Sequence, residues 1–415
     1  MNTKNSILSA LDLARTGESP AGEAPVVLAV DRLFELALVQ RASDIHLEPQ
    51  VRGLFVRFRV DGMLRTIHEY PITAAPAIVS RIKIMASMDI AEKRLPQDGQ
   101  IRTQIGKRDI ELRISTLPGK YGEKVVIRVL DKTKTAINLG ELDMNPLTQS
   151  RFEMAIDKPQ GIILVTGPTG SGKTTTLYSA LSRLRSPMLN IITLEDPIEY
   201  ELLSGSGDES GVTQVQMNPK IGLTFATSLR ASLRQDPDVI MLGEIRDKET
   251  AETAMRASMT GHLVFSTLHT NGAPDTISRL RDIGVDAYLV ASTLNAVMAQ
   301  RLMRLLCPEC KEPYTLPARM MESLFAHRPK SQAPALCRPR GCEHCQETGY
   351  WGRQGIFELL LVSEEIKQLI MTGARTEEVC DLAKKQGMAT LRQSGLELVY
   401  RGLTTVDEVF RNTVE

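Results

Sequence analysis

The stretch Gly161-Ile-Ile-Leu-Val-Thr-Gly-Pro-Thr-Gly-Ser-Gly-Lys-Thr-Thr-Thr176 decides the fold. It starts as a short apolar run, passes through a glycine-rich turn and enters a helical pattern that continues to Arg185. Gly167, Gly172, Lys173 and Thr174 occupy the fixed positions of G-x-x-x-x-G-K-[ST], the phosphate loop. Glycines let backbone N–H groups turn inward around a polyphosphate, and the helix N-terminus adds partial positive charge. Gly167, Pro168, Thr169, Gly170, Ser171, Gly172, Lys173, Thr174 and Thr175 are therefore the expected cradle. Lys173 brings a point charge to the β- and γ-phosphates, and the Thr174 hydroxyl is a ligand for Mg²⁺. The reading is a strand, a loop and a helix that bind a nucleoside triphosphate.

Binding alone does not hydrolyse; carboxylates are needed near the γ-phosphate. Three later segments are suited to supply them. Ile191-Ile-Thr-Leu-Glu-Asp-Pro-Ile-Glu199 is an apolar strand that runs into Glu195 and Asp196 and is stopped by Pro197. Carboxyl ends of parallel strands line the ligand crevice, which puts these acids in the right layer. Asp238-Val-Ile-Met-Leu-Gly-Glu-Ile-Arg-Asp247 has the shape of a strand ending in a carboxylate, Glu244, beside Mg²⁺. In Thr260-Gly-His-Leu-Val-Phe-Ser-Thr-Leu-His-Thr-Asn271 two histidines bracket an apolar strand and so belong at its opposite ends. His269 emerges where a γ-phosphate sensor would stand; His262 fits a structural role equally well. The alternation of strands and helices from Gly161 onward argues for a largely parallel sheet, an α/β fold.

Length and composition bound the rest. A chain of 415 residues has room for two to four domains. Its 50 basic and 50 acidic residues cancel, which gives no support to a broad nucleic-acid surface. No run approaches 18 apolar residues and the N-terminus lacks a secretory pattern, so a cytoplasmic protein is expected. Residues 1–24 read as a flexible lead, and 25–133 as an α+β domain. Its pieces are a helix from Pro25 to Arg41, strands at 45–47 and 54–60 with an Asp61-Gly62 hairpin turn, and a helix from Thr73 to Ser87. Strands follow at 101–104, 109–116 and 123–130, the last two joined by a turn at Leu117–Lys120. A polar linker is expected at 134–150, an ATPase core at 151–300 carrying a flexible loop at Gly205–Gly211, and helices toward the end, over 358–415.

Between them, over 301–357, lie Cys307-Pro-Glu-Cys310 and Cys342-Glu-His-Cys345, separated by 31 residues. Two such pairs give four thiolates, enough to close a tetrahedral Zn²⁺ site with no open catalytic position. The site would be structural, stapling a loop-rich segment. Cys337 and His344 stand as further possible ligands, outside and within the second pair.

Taken together, these motifs resemble the type II secretion and type IV pilus assembly ATPases. The phosphate loop, Thr193-x-Glu195-Asp196-Pro197-x-Glu199, Gly243-Glu-Ile-Arg-Asp247 and His262…His269 follow the family's order and intervals. Arg41-Ala-Ser-Asp-Ile-His-Leu-Glu48 and Leu95-Pro-Gln-Asp-Gly-Gln100 are similar to its second N-terminal domain, PAS-like in fold. Longer members carry one more N-terminal domain, which docks on an inner-membrane partner or binds a regulatory nucleotide; the residues before Pro25 are too few for it. The resemblance implies a homohexamer of RecA-like cores that hydrolyses ATP and acts through an inner-membrane platform protein, peripheral to that membrane. It implies Lys173 on the phosphates, Thr174 on Mg²⁺, Glu195 as base, Glu244 supporting the metal, and His262 and His269 as the histidine box. Arg113 and Arg128 match arginines that reach the γ-phosphate, though as strand residues they also fit a solvent-facing position. The tetracysteine element marks assembly-type members rather than retraction motors. A DNA translocase or a non-hydrolysing scaffold would share the phosphate loop; charge balance argues against the first, Glu195 and Glu244 against the second.

Overall fold

Alternating burial builds the first unit. The computed structural model describes residues 25–131, 138–202, 211–325 and 335–413, and the chain divides into two units, Met1–Lys134 and Thr135–Glu415. The lead at 1–24, the loop at 205–210 and the first residues of the linker fall outside the described residues. The first unit holds α1 (Pro25–Val39), β1 (Asp44–Pro49), β2 (Leu54–Val60), β3 (Met63–Tyr70), α2 (Ala75–Met85), β4 (Gln97–Ile105), β5 (Arg108–Gly119) and β6 (Gly122–Asp131). They form one antiparallel sheet in the order β3-β2-β1-β6-β5-β4. On β2, Leu54, Val56, Phe58 and Val60 are buried while Arg57 and Arg59 alternate with them. The buried residues meet Val30, Leu33 and Phe34 of α1 and Ile78 and Ile82 of α2 in one core. Asp61 and Gly62 reverse the chain with φ of 48° and 83°, the conformation an Asp-Gly hairpin requires.

One expected turn sits elsewhere. β5 continues through Leu117 and Pro118 to Gly119, and the chain reverses at Lys120 and Tyr121. β4 pairs with β5 only as far as Thr116, so Pro118 lies where β5 has a single neighbour. That is a position at which a strand tolerates proline.

The second unit begins with α3 (Pro146–Ile156), β7 (Gly161–Thr166), α4 (Lys173–Leu184), β8 (Ile191–Glu195), β9 (Val212–Gln216) and α5 (Phe225–Ser232). It continues with β10 (Val239–Leu242), α6 (Lys248–Met259), β11 (Leu263–Leu268), α7 (Asp275–Asp282), α8 (Ala287–Thr293) and β12 (Leu294–Leu306). Then come β13 (Glu312–Pro313), α9 (Ala318–Phe325), β14 (Cys337–Arg338), β15 (Tyr350–Leu361), α10 (Glu364–Thr372), α11 (Thr376–Lys385), α12 (Leu391–Tyr400) and α13 (Val406–Asn412). Seven strands make the main sheet in the order β15-β12-β7-β11-β10-β8-β9, parallel throughout except for β15. Every residue of β7, β8, β10 and β11 is buried, which is why these strands read as continuous apolar runs. Ile162 and Leu164 face one core and Ile163 and Val165 the other, so the sheet is covered on both sides. This is the α/β architecture expected from the sequence, with its phosphate-loop strand between β12 and β11 inside the sheet.

Two sequence expectations meet a different structure here. The described part of the 134–150 stretch is built into the second unit: Leu139, Leu142 and Met144 are buried with Phe152 and Tyr178. Asn145 then caps α3, its side chain accepting from Leu147 N at 2.9 Å. The expected boundaries after residues 300 and 357 fall inside β12 and β15, which pair with each other over most of their length.

Candidate nucleotide and metal sites

Two glycines shape the loop between β7 and α4. Gly167 has φ of 150°, and a Cβ there would lie 2.5 Å from Gln300 O and 2.7 Å from Ser171 Oγ. Gly172 has φ of 91°, and its Cβ would meet Gln300 Nε2 at 2.8 Å. A Cβ at Gly167 would press on the β12 backbone, while one at Gly172 would displace the Gln300 side chain and strain a positive-φ residue. Lys173 opens α4, and its ammonium folds back to donate to Gly167 O at 2.9 Å and Pro168 O at 3.1 Å. Burial brings the Lys173 amine down to about 8; Glu244 works against that fall and Arg301 adds to it.

The three acidic and histidine segments are placed by neighbouring strands. β10 ends one residue before Gly243, whose N–H donates to Leu194 O at 2.8 Å and whose carbonyl accepts from Thr267 Oγ1 at 2.6 Å. These bonds fix Glu244 at the carboxyl end of the sheet. Its carboxylate meets Arg246 at 2.5 Å and His269 Nε2 at 3.7 Å. His269 follows β11 directly, and the next residue is tied across to the phosphate-loop strand, Thr270 N donating to Thr166 Oγ1 at 2.8 Å. Burial, then the charge of Lys173, hold the His269 imidazole below its ordinary value, which favours the neutral ring. Lys173, Glu244 and His269 thus share one electrostatic neighbourhood.

Glu195 closes β8 and is 3% exposed. Its carboxylate accepts from Thr193 Oγ1 at 2.6 Å, from Gln214 Nε2 at 3.1 Å and from the Tyr178 hydroxyl. Burial raises its pKa while the Thr193, Tyr178 and Gln214 bonds oppose the rise.

His262 lies at the other end of β11 from His269 and outside this constellation. Its Nδ1 sits 2.8 Å from Ala257 O at the end of α6, in keeping with the structural reading. In the first unit, Arg113 and Arg128 are direct register partners on β5 and β6, so both point from one face of the sheet. Each is held by a carboxylate: Glu111 meets Arg113 at 3.0 Å, and Asp44 meets Arg128 at 3.5 Å.

Sequence reasoning passed over several groups at this site. Gln300 accepts from Thr176 Oγ1 at 2.7 Å, and Arg301 donates to Gln300 O at 2.9 Å and Asn271 O at 2.8 Å. A Gln-Arg pair inside the apolar run of β12 was the available signal. Tyr178 and Gln214 left none, because their partner Glu195 is reached only through the fold.

The four paired cysteines lie in the connection from β12 to β15, where Cys307 N donates to Gly349 O at 2.9 Å. Sulfur–sulfur distances are 3.9 Å for Cys307–Cys342, 3.8 Å for Cys310–Cys345 and 3.7 Å for Cys342–Cys345. A tetrahedron with Zn–S bonds of about 2.3 Å has edges of about 3.8 Å, so the donor set fits that ion. Backbone N–H groups of Gly341, Cys342 and Gly349 point at the sulfurs of Cys310 and Cys345. Burial drives the Cys307 and Cys310 thiols up; at Cys345 the N–H bonds outweigh burial and bring it down. Cys337 donates to Ala335 O and lies outside the cluster; His344 packs against Trp351 with ring centroids 4.1 Å apart. Trp351 in turn packs on the cysteines.

Similarity to known proteins agrees with this geometry. The profile of the family described as Type II/IV secretion system protein matches residues 19–411. The chain is 48% identical to the Type II secretion system protein E of Dickeya dadantii (strain 3937), over 95% of this chain and 76% of that one. It is 46% identical to the Type IV pilus assembly ATPase PilB of Acinetobacter baylyi (strain ATCC 33305 / BD413 / ADP1), over 95% of this chain and 67% of that one. A crystal structure of the pilus retraction motor PilT with bound ADP superposes with a TM-score of 0.61 at 26% identity, covering 93% of this chain and 97% of that one. The phosphate loop, the carboxylates beside it and the match along nearly the whole length lead to one conclusion: the chain belongs to the type II/IV secretion system protein family.

Proposed function

We propose that this secretion-family ATPase is the cytoplasmic motor of a type II secretion or type IV pilus machine. It works as a homohexamer on an inner-membrane platform protein and drives the assembly of pilin-like subunits, with no nucleic-acid substrate. The observation that carries the reading is the convergence of Lys173, Glu244 and His269 at the carboxyl ends of β7, β10 and β11, with Glu195 ending β8. Lys173 neutralises phosphate charge, and the N–H groups of residues 167–175 cradle the phosphates. Thr174 and Glu244 would hold Mg²⁺, which would supply charge stabilisation to the bound polyphosphate. Glu195 takes the proton of the attacking water, and His269 senses the γ-phosphate. His262 is left with a structural part, holding the amino end of β11. The four cysteines hold one Zn²⁺, and that element favours assembly or secretion over retraction. Among the described residues no helix is long and apolar enough to cross a membrane.

Substitution separates binding from chemistry. Lys173→Ala removes the phosphate charge and abolishes turnover; Glu195→Gln and Glu244→Gln keep nucleotide binding and lose about 10²-fold or more in hydrolysis. Fluorescent-nucleotide binding measured beside phosphate release reads both. Wild-type turnover in either amide variant removes that residue from the reading.

A further inference from the structure

A carboxylate has about four acceptor positions, and three of Glu195's are filled from three elements. Thr193 lies two residues back on β8, Gln214 comes from the edge strand β9, and Tyr178 comes from α4, the helix that opens with Lys173. Gln214 Oε1 accepts from Leu202 N at 2.8 Å, which leaves its amide N–H to face Glu195. Tyr178 is fully buried, with the Tyr200 ring edge-on at 4.5 Å. It follows Thr174 by one helical turn, on the same face of α4. One hydrogen bond therefore links the phosphate-binding helix to the carboxylate that ends β8.

Resting on the reading of Glu195 as base, we propose that Tyr178, with Thr193 and Gln214, is the positioning set for that base. The three donors fix the carboxylate's rotation, leave one acceptor position for the attacking water, and favour the ionised form that burial opposes. The groups facing Glu195 are Tyr178 from α4, Thr193 on β8, Gln214 from β9, and Glu199 and Tyr200 from the segment after β8. Glu199 raises Glu195 further, and the three donors work against both effects.

Removing a donor makes the anion less favourable, so the base gains its proton at higher pH and the acid limb of the rate moves up. Single-turnover hydrolysis by the full chain, followed between pH 5.5 and 8.5, tests this. Tyr178→Phe moves the acid limb up and slows hydrolysis more on its acid side than on its plateau, with nucleotide affinity within about twofold. Thr193→Val shifts the limb the same way, and decides the matter alone if Tyr178→Phe fails to fold. In a Glu195→Gln background Tyr178→Phe costs nothing more. An acid limb that stays put in a nucleotide-binding variant overturns the positioning set and leaves Glu195 as base. Wild-type turnover by Glu195→Gln removes the base, and the positioning set with it.

Discussion

Lys173 is a cation kept partly out of water before any phosphate reaches it. Burial lowers its amine to about 8, so a part of the population is neutral just above physiological pH. A bound polyphosphate favours the ammonium and raises that value, so binding above pH 8 takes up a proton. Affinity is then full below the free value and lost as pH rises through it. Nucleotide titrations should weaken about tenfold between pH 7.5 and 9, while Lys173→Arg, charged throughout, stays flat. A flat wild-type profile would show that the lysine is fully charged before binding. At this scale the sequence carried the residues whose role is set by local spacing. Lys173 and Thr174 stand in one loop, and Glu195, Glu244 and His269 each follow an apolar run that ends at the crevice. It did not carry Tyr178 or Gln214, whose partner Glu195 lies on another strand, nor Arg301, which reaches Asn271 O in the loop after β11. His262 and His269 sit seven residues apart, and at about 3.3 Å per residue an extended strand sets them about 23 Å apart. The apolar run between them already put them at opposite ends of one strand, and β11 spans that run.

Among the elements, β12 joins the phosphate-loop strand to the cysteine-bearing connection. β12 pairs with the phosphate-loop strand β7 on one side and with β15 on the other, and Leu306 opposite Tyr350 is the last rung before the cysteine-bearing connection. A metal there closes a long loop onto a strand whose other neighbour holds the nucleotide. Purified protein should contain about one zinc per chain. In Cys342→Ser/Cys345→Ser it should lose the metal and exchange backbone amides faster over residues 307–349, with nucleotide affinity little changed. Undiminished zinc in that variant would refute the ligand set. β15 was hidden in the sequence because Ile356-Phe-Glu-Leu-Leu-Leu361 is an apolar run that fits a buried helix as well as a strand. The Asp61-Gly62 hairpin and the glycine loop were legible because their backbone angles restrict which residues can be there.

For the molecule as a whole, the two-unit division puts Arg113 and Arg128 on a different body from Lys173. Should they clamp the γ-phosphate, as the family resemblance implies, Ala at either position in the full chain lowers turnover by about 10³-fold and affinity far less. Lys rescues poorly, since an ammonium lacks the planar fork. Assembly state, followed by sedimentation, should match wild type; undiminished turnover in Arg113→Ala/Arg128→Ala would place catalysis entirely in the second unit. The sequence yielded the α/β core and the α+β unit before it, because each has its own periodicity. It did not show that residues 139–144 belong to the second core, since three apolar side chains among polar ones make no pattern. A different consequence attaches to Trp351, packed against the cysteines and the single tryptophan among 415 residues. All tryptophan emission from the protein arises at that one spot, so fluorescence excited beyond the tyrosine band is a native optical probe of the cysteine loop and leaves the tyrosines beside Glu195 dark.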